Sequence, residues 1–142
     1  MSAVRAIRAA HDDPLTWVIE LGTNDAPMIG DDAAALKRPI EAMLDEIGPG
    51  HHIVWVNVYH APRPEAAETF NRVLDAVARR AGVVVADWAS RAWYDGYLVP
   101  DGVHLATAGI VAYASMIADA AERALQLPPD LLREANVSAR AA

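Results

Sequence analysis

The sequence contains no cysteine, and among its 12 basic residues only Lys37 is a lysine. The absence of cysteine excludes disulfide bonds, thiolate nucleophiles and cysteine-ligated metal sites. Acidic residues outnumber basic ones by 19 to 12, which gives a net charge of −7, and the arginines form no stripe. Nucleic acid and anionic membrane surfaces both reward clustered positive charge, so neither is expected as a partner.

Long hydrophobic runs are also missing. No run approaches the roughly 18 residues that a membrane-spanning helix needs, and the first residues, MSAVRAIRAAHDDP, lack the apolar core of a signal peptide. We therefore expect no membrane insertion by this chain and, by default, a cytoplasmic location. The length of 142 residues, without repeats or long polar linkers, predicts one domain over residues 1–127 and a C-terminal tail over 128–142.

Three short runs rich in β-branched and aromatic residues stand out at 16–21, 52–58 and 82–87. Each is nearly continuous in apolar residues, which is typical of parallel strands covered on both faces. Helical spacing of apolar residues precedes, separates and follows these runs. The resulting order, α-β-α-β-α-β-α, predicts a three-layer α/β/α architecture with a parallel sheet of about three strands.

The helical patterns also predict caps and inward faces. Pro39 should either kink the second helix or begin it, and Gly82 should end the third. Thr107 is predicted to cap the last helix, which should run to about Gln126. The residues expected to face inward are Val4, Ile7 and Ala10 in the first helix, and Ile110, Ala114, Ile117, Ala118, Ala121 and Leu125 in the last.

Polar residues follow the first strand in the stretch GTND, residues 22–25. In open α/β sheets ligands bind at the carboxyl ends of the strands. An asparagine amide at such a position can donate a hydrogen bond to a developing oxyanion, which is one interpretation of Asn24. The other is structural, because Asn24 and Asp25 can form an Asx turn that leaves the strand.

A second polar stretch, DGVHLATAG at residues 101–109, places an acid three residues before a histidine. A tight turn there would let the Asp101 carboxylate reach Nδ1 of His104 and leave Nε2 free to act as a base. Alternatively, Asp101 and Gly102 form a solvated turn and His104 is a surface residue at the helix entry.

The pair of stretches VIELGTND and DGVHLATAGIVAYA, at this separation, resembles the third and fifth sequence blocks of the SGNH (GDSL-like) hydrolase superfamily. The resemblance covers residues 4 to 125 and is closest to the SGNH domains of polysaccharide O-acyltransferases. It implies a flavodoxin-like fold and a serine esterase or acyltransferase that needs no metal or organic cofactor. Its substrate would be a small acyl ester or an acylated carbohydrate.

The resemblance also implies residue roles. His104 would be the general base, Asp101 its orienting acid and Asn24 an oxyanion-hole donor, while Gly22 would support the turn. Two further residues at strand carboxyl ends, Arg63 and Trp88, are candidates for substrate binding, although a plain surface arginine and a core tryptophan are the structural alternatives.

The family's first block, a Gly-Asp-Ser turn that carries the nucleophile, is absent from the sequence, as is the second block. The four serines are Ser2, Ser90, Ser115 and Ser138, and only Ser90 follows a predicted strand. We therefore expect little esterase activity from this polypeptide alone.

Without the strands of the missing blocks, the strand at 16–21 becomes an unprotected edge of a truncated sheet, which invites self-association. The alternative function is a non-catalytic binding or assembly module derived from the same fold. A fragment of a membrane acyltransferase would act outside the cytoplasm.

Histidines at 51, 52 and 60 bracket the second predicted strand. Adjacent residues of a strand point to opposite faces and the third histidine lies a strand length away, so one metal ion is not expected to bind all three.

Overall fold

The structure, a computed structural model, describes residues 3–11 and 13–127. The predicted tail, residues 128–142, lies outside the described residues, as do Ser2 and Ser138. The division of the chain at residue 127 therefore stays a prediction.

A parallel sheet of three strands forms the centre of the fold, in the order β1-β2-β3. The strands are β1 (Thr16–Ile19), β2 (His52–Val56) and β3 (Val84–Ala86). All three predicted strands are present, each shorter than its apolar run. Their register aligns Val18 with Val54. Because β1 pairs on one side only, it is an edge of the described sheet.

Five helices surround the sheet within the described residues: α1 (Ala3–His11), α2 (Asp25–Ile29), α3 (Ala33–Ile47), α4 (Pro64–Ala81) and α5 (Thr107–Leu125). The short helix α2 was not predicted. Gly82 ends α4 in the left-handed conformation, as predicted. None of the helices in the described part of the chain is both long and apolar enough to cross a membrane.

Two apolar cores lie on opposite faces of the sheet. The first core contains side chains of helices α1, α2, α3 and α4 and of one face of the strands. Its fully buried side chains include Leu36, Ile40 and Leu74. The second joins α5 with Val54 and Val56 on the other face of β2. These two cores make the three-layer α/β/α architecture that the alternating pattern predicted.

The first helix packs less deeply than predicted. Val4 is buried, but Ile7 is 39% exposed and Ala10 is also exposed. Arg8 occupies the inward position one turn after Val4, and its guanidinium donates hydrogen bonds to the carbonyl oxygens of Glu46 and Ile47 at the end of α3. A cation at a helix C-terminus satisfies carbonyls that lack intrahelical partners.

The helix α3 does not begin at Pro39, which lies inside it. Its N-cap is Asp32, whose carboxylate accepts a hydrogen bond from the backbone N–H of Ala35. This cap fixes the start of the helix at Ala33, well before the proline. Pro39 is exposed, so water can reach the backbone carbonyl that the proline leaves without a donor.

The last helix differs from prediction in its cap and in its buried face. Its N-cap is Ala106, without a side-chain hydrogen bond, and Thr107 is already the first helical residue. The buried residues are Gly109, Met116, Ala120 and Ala124, whereas two residues predicted to face inward, Ile110 and Leu125, are each 55% exposed. Ala114 and Ala118 are exposed too, and Ile117 and Ala121 are partly buried. The predicted face, which includes Ile110 and Leu125, is therefore an apolar stripe of α5 beside the face that packs on the sheet.

Candidate active site

The turn before α5 joins Asp101 and His104 directly. Oδ2 of Asp101 lies 2.7 Å from Nδ1 of His104, and Oδ1 accepts hydrogen bonds from the backbone N–H groups of Val103 and His104. The His104 side chain is 80% exposed, so its Nε2 edge is open to solvent. Hydrogen bonds from the backbone and the imidazole of His104, and from the backbone of Val103, lower the pKa of Asp101 to about 2.

Gly102 allows this turn to pack against the loop after β2. Its φ is +70°, and a Cβ atom there would lie 2.5 Å from Cβ of Ala61. The carbonyl oxygen of Gly102 accepts a hydrogen bond of 3.1 Å from the Ala61 backbone N–H. Glycine adopts a positive φ without steric cost and leaves room for this approach. The loop after β2 therefore holds the Asp101–His104 turn in place.

Asn24 lies at the carboxyl end of β1, where it begins α2. Its side chain is exposed, does not cap the helix and makes no hydrogen bond within the described part of the chain. Of the two interpretations of this residue, the Asx-turn one therefore lacks its defining hydrogen bond. The amide is left available to a ligand.

Gly22, two residues before Asn24, packs against the helix α4. Its φ is +121°, and a Cβ atom at this position would lie 2.3 Å from Cζ of Phe70. The indole N–H of Trp55 donates to the neighbouring carbonyl oxygen of Leu21 at 3.0 Å. These two contacts fix the loop that carries Asn24.

One pocket opens at the carboxyl ends of the strands, on the α5 face of the sheet. Thr23 and Val103, the residues directly before Asn24 and His104, both line it. The other lining residues are Glu20, Leu21, Val56, Asn57, Tyr59, Trp88, Leu105 and Tyr113. The two predicted site stretches therefore border the same pocket.

The acidic group in this pocket, Glu20, was not singled out by sequence. Burial of the Tyr113 hydroxyl, and after it the nearby charge of Glu20, raise the pKa of Tyr113. Glu20 lies two residues before the GTND stretch, so its position at a strand end was the available signal.

Asn57 and Asp87, also missed by sequence, connect the ends of β2 and β3. The Asn57 amide donates to Oδ1 of Asp87 at 2.8 Å, and its oxygen accepts from the Ala89 backbone N–H at 2.8 Å. Partial burial acts to raise the pKa of Asp87, but hydrogen bonds from Asn57 and Ser90 outweigh it and lower that pKa. The pair fixes the beginning of the segment that leads to His104.

The other two residues predicted to bind substrate are Arg63 and Trp88. Arg63 is exposed at the N-cap of α4 and forms no ion pair within residues 3–11 and 13–127. Trp88 is only 4% exposed and packs between Tyr97 and Tyr113, at centroid distances of 6.1 and 5.0 Å. Its ring reaches the pocket from the second core.

The two serines that the structure describes are both exposed. The hydroxyl of Ser90 donates to the backbone carbonyl oxygen of Asp87 at 3.3 Å, and Ser115 lies in the middle of α5. Neither hydroxyl is hydrogen-bonded to the imidazole of His104, whose Nδ1 is occupied by Asp101.

The histidines at 51, 52 and 60, in and around β2, form no metal site in the described part of the chain. His51 is buried, with Nδ1 3.0 Å from the Pro14 carbonyl oxygen and Nε2 3.1 Å from the Arg8 guanidinium. No group of three or more histidine, aspartate or glutamate side chains in the described ranges is arranged to hold a metal ion.

Comparison with solved structures identifies the fold. The crystal structure of the lipase/acylhydrolase from Enterococcus faecalis matches 88% of this chain and 70% of its own, with a TM-score of 0.69 and 22% identity. A catalytic mutant of Axe2, an acetylxylan esterase from Geobacillus stearothermophilus, matches 90% of this chain and 69% of its own, with a TM-score of 0.52 and 16% identity. The chain shares the α/β/α fold of these two enzymes, as the resemblance implied.

Sequence comparison points in the same direction. The chain is 32% identical over 107 residues to "Putative O-acetyltransferase SACOL0978" of Staphylococcus aureus strain COL, and equally to its counterpart SA0834 in strain N315. The match covers 75% of this chain but only 16% of the length of those relatives. No family model matches the chain.

Proposed function

We propose that this chain is an SGNH-type O-acyl esterase or acetyltransferase module whose general base is His104. The observation that carries the proposal is the Asp101–His104 pair at 2.7 Å, with the opposite edge of the imidazole open to solvent. The pair stands beside the pocket at the strand carboxyl ends, where ligands bind in α/β sheets of this kind. Relatives named as O-acetyltransferases and neighbours titled acylhydrolase and acetylxylan esterase support the reaction class.

The protonation state of the pair supports the role of a base. With a pKa of about 2, the Asp101 carboxylate is ionised at neutral pH and only accepts hydrogen bonds. The contact at 2.7 Å therefore requires a proton on Nδ1 of His104. In the neutral imidazole this leaves the lone pair on Nε2, which is the atom that faces solvent.

The proposed reaction is acyl transfer through a serine ester. Nε2 of His104 takes the proton from a serine hydroxyl as that oxygen attacks the acyl carbonyl, and the Asn24 amide donates to the oxyanion. The imidazolium then returns the proton to the departing alcohol oxygen. Water, or an acceptor hydroxyl in a transferase, attacks the acyl-serine with the same base, and the serine is regenerated.

The nucleophilic serine is proposed to come from a polypeptide segment outside this sequence. Ser90 is engaged with the Asp87 carbonyl and Ser115 lies on a helix, and the sequence contains no Gly-Asp-Ser. Loss of the serine from such a triad lowers kcat on the order of 10⁶-fold. We therefore expect very low turnover from the chain alone.

The proposal is tested by supplying the serine. Turnover of p-nitrophenyl acetate is measured for the chain alone and after addition of a synthetic strand–turn–helix peptide with a Gly-Asp-Ser turn. We expect turnover to rise with this peptide and not with a peptide in which alanine replaces the serine. His104→Gln should abolish the rise, while His52→Gln, at the opposite end of β2, should preserve it. A rise that survives His104→Gln would contradict the assignment of the base.

A second candidate function, a non-catalytic assembly module, is favoured by the apolar stripe of α5. Ile110 and Leu125 on this stripe are each 55% exposed, and Val18 of the edge strand β1 is 41% exposed on the same side of the sheet as α5. Exposed apolar surface beside the open edge of a strand is a typical site of association. No rise in turnover with any Gly-Asp-Ser peptide, together with a stable dimer in size-exclusion chromatography and light scattering, would favour this function.

A further inference from the structure

Two aromatic side chains are exposed on the segment that leads from β3 to His104. Trp93 is 63% exposed and Tyr94 is 52% exposed, whereas the other three tryptophans, Trp17, Trp55 and Trp88, are at most 7% exposed. Large apolar rings in water are costly for a folded chain, and a contiguous group of them marks an interaction surface.

These exposed rings are held rigidly. The rings of Trp93 and Tyr94 stack at a centroid distance of 4.4 Å and an interplanar angle of 16°. The indole N–H of Trp93 donates to the Ser90 carbonyl oxygen at 2.7 Å. Tyr94 contacts Tyr97 at 5.7 Å, and Tyr97 stacks on the buried Trp88 at 6.1 Å. The four rings form an aromatic ladder from the second core to the surface.

The inner end of this ladder is tied to the candidate active site. Trp88 lines the pocket. The carbonyl oxygen of Tyr97 accepts from the Ala106 backbone N–H at 2.9 Å, and the Val99 N–H donates to the carbonyl oxygen of His104 at 2.9 Å. A ligand resting on the outer rings would therefore extend from the site itself.

The residues around Trp93 and Tyr94 indicate the class of ligand. Arg91 and Asp95 are exposed on either side of the two rings in the sequence, so polar groups border an apolar surface. A pyranose ring has the matching chemistry, because one face presents C–H groups and the rim presents hydroxyls. The net charge of −7 disfavours polyanions and favours an uncharged sugar.

We propose that Trp93 and Tyr94 form a carbohydrate-binding platform that stacks against a pyranose ring of the glycan whose hydroxyl group bears or receives the acyl group. The link to acyl transfer rests on the proposed function; the binding of a neutral glycan to these rings does not. The platform is a binding surface, and neither residue takes part in proton transfer.

The experiment titrates the full chain with neutral β-linked oligosaccharides: cellohexaose, xylohexaose and chitohexaose. Because Trp93 is the exposed tryptophan, acrylamide quenching reports it selectively, and its indole N–H signal in NMR gives an independent readout. We expect at least one oligosaccharide to protect Trp93 from acrylamide in a saturable manner. Trp93→Ala and Tyr94→Ala should each weaken binding about 3- to 10-fold, as measured by calorimetry.

Two control variants make the test specific. Trp93→Phe keeps an aromatic face and should retain most of the affinity. Leu15→Ala removes a side chain that is 61% exposed at the amino end of β1, and should leave affinity unchanged. The test variants at Trp93 and Tyr94 and the control variant at Leu15 all change exposed side chains, so the fold is expected to persist.

Three outcomes would overturn the proposal. The first is no protection of Trp93 by any of the oligosaccharides at millimolar concentration, and the second is sugar binding by Trp93→Ala as tight as by the unaltered chain. The third is protection of Trp93 that depends on protein concentration rather than on sugar concentration. The last would make the platform a contact between protein chains. Sugar binding without turnover in the peptide-complemented chain would leave the platform in place and count against the proposed function. Turnover without sugar binding would support the proposed function and overturn the platform.

Discussion

Nδ1 of His104 lies 2.7 Å from a carboxylate oxygen of Asp101, and the two residues are separated by only two others in the sequence. The same carboxylate accepts two backbone N–H groups of its own turn. Asp101 therefore serves two purposes: it shapes the turn and it orients the imidazole.

The dual role of Asp101 predicts a defined response to acid. Its pKa is about 2 in the folded chain, against an ordinary value of 3.8. Its stabilising contribution is therefore complete above about pH 4 and is lost as the pH falls through about 2. The amide proton shifts of Val103 and His104 should titrate with a midpoint near 2, and Asp101→Asn should remove that titration. A midpoint near 3.8 would show that these hydrogen bonds do not form in solution.

Replacing Gly22 with alanine should destabilise the fold. The new Cβ would lie 2.3 Å from Cζ of the buried Phe70, at a φ of +121°. We expect a loss of about 2–4 kcal/mol in the free energy of unfolding, measured by urea denaturation. Gly96→Ala is the matched control, because its φ is +79° and nothing lies within 4 Å of the added Cβ. That variant should lose only about 1 kcal/mol, and an equal loss for both would mean that Phe70 moves aside freely.

A fluorophosphonate probe should leave the serines of the chain unlabelled. A serine reacts with such probes when a base has activated its hydroxyl, and the Ser90 hydroxyl instead donates to the Asp87 carbonyl oxygen. Intact-mass measurement after incubation should show no adduct, with a known serine hydrolase as the positive control. An adduct on Ser90 that disappears in His104→Gln would make Ser90 the nucleophile and remove the need for an external serine.

If the apolar stripe of α5 and the edge strand mediate association, charged residues on them should prevent it. We expect concentration-dependent self-association in light scattering, reduced by Val18→Lys and by Ile110→Lys. Both side chains are exposed, at 41% and 55%, so the variants should fold. Val111→Lys is a control on an exposed position of α5 outside the predicted stripe, at 69% exposure. A chain that is monomeric at every concentration would count against the assembly function.

The sequence was sufficient to predict the architecture because the strands are short, apolar and separated by helical patterns. It also indicated that a tight turn would let Asp101 reach His104, as one of two interpretations of that stretch. In both cases the information is local: neither prediction depends on how distant segments align.

Predictions failed where contacts between segments far apart in the sequence determine the structure. The helix α5 is apolar on two adjacent faces, so periodicity alone could not select the face lined by Met116 and Ala120, which fits the sheet. The hydrogen bond between Asn57 and Asp87 depends on the register of β2 with β3, which no single segment specifies. The short helix α2 has too few residues for a helical period to show.

The segment between β3 and α5 has no regular structure, yet it is closely tied to the rest of the fold. Leu98 and Leu105 form a bridge, and the turn between them is held by the loop after β2. The conformational entropy of this segment is thus lost when the chain folds, not when a ligand binds. For the proposed acyl substrate we therefore expect recognition by a preformed shape, without closure of this segment before the chemistry.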